Sequence, residues 1–201
     1  MPLRRVRCEG TVFRTKRKAM TMTTTTLRHF SGWRIAGWGS AAALLALPAI
    51  AMTLGADVDW SAGDFLFAAI MLGLLGAMVE FAARQRVLSR KAGLALFGLA
   101  SFFTVWSNAA VGIIGDEDSP VNPAFFLAVI GAVSLGAMLR FRARPMAVIS
   151  GTLSVLQFAI GIAATRLMPG HAVEWGLLAF LAALWAISAA LFARPGQSQA
   201  N

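Results

Sequence analysis

Six apolar stretches of about 20 residues, set apart by short polar turns, constrain this chain more than any other feature. A helix rises 1.5 Å per residue, so each stretch would reach about 30 Å, the hydrocarbon thickness of a bilayer. Lipid offers the backbone no partner, and such a stretch satisfies its own hydrogen bonds as a helix. The pattern therefore predicts an all-α fold, a polytopic transmembrane helical bundle with six spans at 35–56, 61–83, 92–115, 121–140, 145–165 and 173–193. A water-solvated core fits poorly, because 58% of the residues are hydrophobic and 13% charged, against roughly 45–50% apolar in soluble domains.

Residues 1–34 carry nine bases, from Arg4 to Arg34, against Glu9 alone, and are expected to form a basic, disordered cytoplasmic lead. Met20 and Met22 precede a threonine run, and a start at either in place of Met1 would leave a shorter leader. The Arg4-Arg5 pair lies too far from the first apolar stretch to read as a twin-arginine export signal. With its basic flank and Ala49-Ile50-Ala51, the first stretch also resembles a signal peptide. Its apolar length exceeds the usual 7–15 residues of such a segment, which favours a retained helix. Pro48 should kink it. Residues 194–201 read as a cytoplasmic tail.

Charge sides agree with apolar length. If alternate loops share a side, every Lys and Arg except Arg166 falls on one side, and every acid except Glu9 and Glu80 on the other. The positive-inside rule then places both termini in the cytoplasm of a bacterial inner membrane. The basic excess is spread between apolar stretches, so the expected partner is the lipid bilayer, with a further membrane protein or a second copy possible and no nucleic acid. Small residues at packing spacing (Gly73 and Gly76; Ala128, Ala132 and Gly136; Ser150, Ser154, Ala159 and Ala163) suggest close helix approach. No internal repeat relates the two halves.

Polar groups inside a span are functional candidates, because each is costly there without a partner. Ser61 and Asp64 have capping-box spacing at the second span's start. Glu80 lies about 24 Å further along that helix, with Arg84 at the favourable i+4 position. It reads either as a paired interfacial charge or as a proton or cation relay. Asn108 is placed about 10 Å inside the outer end of the third span, and Gln157 about 18 Å into the fifth. Both suit interhelical hydrogen bonds; alternatively, with Trp106, they line a polar cavity open to the outside. Asp116, Glu117 and Asp118 could hold a cation, although hard cations want about six oxygen ligands. A solvated loop is the simpler reading. Trp60 and Trp175 suit an outer aromatic belt, and Trp185 a packed interior.

What is missing narrows the classes. Cys8 is the single cysteine and cannot form an internal disulfide. His29 and His171 fall outside the spans, which disfavours a membrane cytochrome. Neither a serine–histidine pair nor paired aspartates lie mid-span for a protease, and Gly112 and Gly115 precede a loop, so no nucleotide motif is matched. No cofactor, metal or catalytic residue is expected.

Residues Trp106, Asn108, Ala110, Val111, Gly112, Ile113, Ile114, Gly115, Glu117, Pro120 and Asn122 together resemble a motif of uncharacterised bacterial multi-pass membrane proteins, WxNxAVGIIGxExxPxN. The similarity extends to Asp64-Phe65 and Glu80 and covers about residues 35–165. It implies a membrane bundle and brings no activity. The leading expectation is a non-enzymatic accessory or assembly protein. The alternative is a small transporter or ion-conducting protein using Asn108, Gln157 and Glu80. An outer-face enzyme built on Asp64, Glu117 and His171 is weaker, because it needs spans two, three and six as neighbours.

Overall fold

The computed structural model describes residues 32–115, 118–170 and 172–194. Among these residues six helices follow one another: α1 Gly32–Thr53, α2 Ala62–Ala83, α3 Leu88–Ala110, α4 Pro123–Met138, α5 Ala143–Leu167 and α6 Trp175–Ala193. All but α4 are long and apolar enough to cross a membrane, and α4 is a shorter apolar helix of 16 residues. The all-α expectation holds, and the arrangement is consistent with a helical membrane bundle.

Helices α3, α4, α5 and α6 close a ring in which each packs on the next and α6 returns to α3. Helix α2 lies on α3, and α1 packs mainly on α2. Trp185 of α6 stands edge-on to Phe97 of α3 at 5.2 Å, with Met146, Leu153 and Phe192 in the same cluster. A second cluster at the far end gathers Ile113, Ile114, Phe125, Leu178 and Leu181. Glycine allows the closest approach: a β-carbon on Gly98 would lie 2.7 Å from Met78 Cγ of α2. Of the small-residue rows read from sequence, Ala132, Gly136 and Ser150 are buried, whereas Ala159 and Ala163 face outward beside the buried Gly161 and Ala164.

Local signals account for the helix ends. Ser61 and Asp64 form the expected capping box, and Pro123 occupies the first turn of α4. Helix α4 stops in a Schellman turn, in which Phe141 N–H donates to the Gly136 carbonyl (2.7 Å) and Arg140 N–H to that of Ala137 (2.9 Å). Arg140 and Phe141 adopt φ of 54° and 49°, a conformation that disfavours side chains. The turn aims Phe141 back inside, at 5.3 Å from Phe81 and 6.4 Å from Phe97. Pro48 lies within α1 without ending it.

The largest departure from the expected spans is in α3, which covers 88–110 rather than 92–115 because residues 111–115 turn instead of continuing the helix. Arg34, expected in the polar lead, belongs to the first turns of α1. The ring order also sorts charge. One end carries Arg34, the bases of 84–91 and 140–144, and Arg194, with Glu80 among them, while the other carries Asp57, Asp59, Asp64, Asp118 and Glu174, with Arg166 the one described base there.

Candidate functional site

Asn108, Ile114 and Asn122 build a latch. Beyond Ala110 the chain turns at Gly112 (φ 75°) and Gly115 (φ 71°), where a β-carbon would cost about 1–2 kcal/mol per residue. Between them Ile113 and Ile114 are fully buried. Asn108 Nδ2 donates to the Asn122 carbonyl at 2.8 Å, and Asn122 Oδ1 accepts from the Ile114 N–H at 3.2 Å, so the buried backbone donor has its partner. Ile114 forms an antiparallel bridge with Val173, and Gly115 N–H donates to the Ala172 carbonyl at 2.8 Å. The two loops at the acidic end are thereby joined. Asn108 consequently sits two residues from the end of α3, about 3 Å along its axis, and not 10 Å inside it.

Gln157 meets the same face of α3 one turn earlier, where its Nε2 donates to Thr104 Oγ1 at 3.3 Å. Asn108 Oδ1 and Gln157 Oε1 are both buried without a protein partner. The gap lined by Thr104, Gln157, Phe125, Leu153 and Ile160 nevertheless has no room for a water-sized sphere. Further along, Ser188 Oγ donates to the Gly93 carbonyl (3.0 Å) and lies 3.4 Å from Ser150 Oγ, while Ser154 donates to the Ala182 carbonyl (2.9 Å). These groups tie α3, α5 and α6 together.

Trp106 takes no part in this interior. It turns toward α2, where with Trp60, Asp64, Phe67, Ala109 and Ala110 it lines an open pocket of about 360 Å³. Ring centroids lie 6.4 Å apart for Trp60 and Trp106, and 6.4 Å for Phe67 and Trp106. Phe102 stacks on Trp106 at 5.6 Å, and Phe65 meets Trp60 at 5.2 Å. Asp64 Oδ2 accepts from Ser61 N–H (2.8 Å) and Ser61 Oγ–H (2.7 Å), which fixes the carboxylate at the pocket rim.

Glu80 stands at the basic end, about 24 Å along α2 from Asp64. The expected pairing with Arg84 is present at 3.7 Å, but closer partners come from α1: Arg34 Nη2 at 3.0 Å and Trp38 Nε1 at 3.0 Å. The Trp38 ring fills the notch at Gly76, where a β-carbon would come within 2.9 Å of it. Sequence reasoning missed both partners, although Gly76, whose notch holds the Trp38 ring, was singled out as a small packing residue.

The structure thus brings Trp106 to Asp64, and Asn108 and Gln157 to one face of α3, while Glu80 is remote from both groups. Glu117, Asp116 and His171 lie outside the described residues, as do Cys8, His29, Met20 and Met22. Helix α3 packs on both α2 and α6, the neighbours an outer-face site would need. No protein-family model matches the chain, and no match emerges among curated proteins or solved structures.

Proposed function

We propose that the chain is a multi-pass protein of a bacterial inner membrane, with both termini cytoplasmic, that acts by binding as a non-enzymatic accessory or assembly component. The observation that carries this reading is the use of the interior amides. Asn108 and Gln157 each give one N–H, to the Asn122 carbonyl and to Thr104 Oγ1, and the gap beside Gln157 has no room for a water-sized sphere. Amides used this way hold helices together at about 0.6–2 kcal/mol each; a conduction path needs them open to solvent. The separation of basic turns from acidic loops supports the orientation.

Two measurements test the reading. Cysteines introduced by Val87→Cys and Asp118→Cys should be labelled from opposite compartments of intact cells; labelling from one compartment removes the orientation. Reconstituted vesicles should show no ion or proton flux that Asn108→Leu or Gln157→Leu abolishes. A flux lost in either variant would replace this reading with a small transporter working through those amides and Glu80.

A further inference from the structure

We infer that the pocket between α2 and α3 lined by Trp60, Asp64, Phe67 and Trp106 is a binding site for a methylated organic ammonium cation. This goes beyond the accessory role and does not depend on it.

Three observations converge there. The walls are aromatic: Trp60, Phe67 and Trp106 surround the opening, backed by Phe102. Aromatic faces attract cations through their quadrupoles, tryptophan most strongly, and quaternary ammonium groups are the usual guests of such cages. The rim carries one fixed carboxylate, Asp64, whose Oδ2 already accepts two bonds from Ser61. Ala109 and Ala110 form the last turn of α3, where unpaired carbonyls leave a partial negative charge.

Competing ligands fit less well. A hard metal ion wants about six oxygen ligands, and among the described residues no group of three or more acidic, histidine or cysteine side chains could hold a metal. A primary ammonium brings three donors, whereas Asp64 is the pocket's one acidic side chain and its Oδ2 is occupied. A methylated ammonium donates few bonds or none, needs charge and aromatic contact, and fits the roughly 360 Å³ available. The other acids at that end, Asp57, Asp59, Asp118 and Glu174, against Arg166 alone among described bases there, favour its approach.

The test is calorimetric titration of the full chain in detergent with tetramethylammonium. Potassium at equal ionic strength and the neutral analogue 2,2-dimethylpropan-1-ol serve as comparisons. Saturable tetramethylammonium binding is expected, with neither comparison competing. Trp60→Leu, outside any helix, and Asp64→Asn should each weaken it about tenfold. Ser154→Ala, on α5 and outside the pocket lining, should bind as the parent does. The same titration in phosphatidylglycerol and phosphatidylcholine nanodiscs identifies the source. Equal affinity in the two points to a soluble cation, and loss in phosphatidylcholine points to a lipid headgroup; either result keeps the site. Absence of saturable binding at millimolar concentration, equal binding of the neutral analogue, or full affinity in a folded Asp64→Asn variant would overturn the proposal.

Discussion

The four-helix ring and the α1–α2 hairpin are built from similarly apolar sequence, yet they are held by different means. Helix α3 is the least apolar of the five long helices and has 44% of its apolar window buried, whereas α2, among the most apolar, has 11% and α1 none. In lipid an apolar side chain is at home facing outward, so hydropathy alone does not decide which helices pack: α6 is as apolar as α2 yet has 33% buried, and small and polar residues mark the contacts. Within the ring Thr104, Asn108, Gln157, Ser150 and Ser188 all bond across helices. The hairpin is fastened at one end, by Glu80 with Arg34 and Trp38.

The contrast breaks most readily at Trp185. Trp185→Ala empties the ring's centre and should lower stability by about 3–5 kcal/mol, read by unfolding in mixed detergent, while Trp38→Ala should leave the ring's unfolding almost unmoved. Equal losses in the two variants would end the distinction. Asn122→Leu strands the Ile114 N–H and removes the amide that ties it down, an expected loss of about 1–3 kcal/mol. Faster exchange should appear in loop amides 111–115 and not in α1. Gly76→Ile should push the Trp38 ring out of its notch. Disulfide formation between Ser40→Cys and Leu72→Cys, which line the same α1–α2 cleft, should slow several-fold with ring stability unchanged. The smallest effect belongs to Arg140→Gly. Relieving the positive φ there should raise stability by roughly 0.5–1 kcal/mol, and a loss instead would mean the Arg140 side chain has a role the turn does not reveal.

Features that depend on neighbours in sequence were legible in advance. The Ser61–Asp64 cap and the Glu80–Arg84 spacing both appear as read. Features that depend on the third dimension were not. Gly112-Ile113-Ile114 is as apolar as a helix, and hydropathy does not tell a spanning turn from a buried loop. The available signal was the pair of glycines lying between Asn108 and Asn122. Arg34 and Trp38 reach Glu80 from 46 and 42 residues away, beyond any local pattern, and Arg34 had been counted with the polar lead. Trp106 and Asp64 were each singled out, but only the packing of α2 on α3 makes them one pocket.

The absence of any buried residue in α1 bears on how the molecule is made. Chains emerge from the ribosome N-terminus first, so among the described helices the first to be made is the one the ring least requires. It must wait until the carboxylate that fastens it arrives, 46 residues behind Arg34. A peptidase cutting just beyond α1 would therefore release a bundle whose remaining helices can still assemble around Trp185.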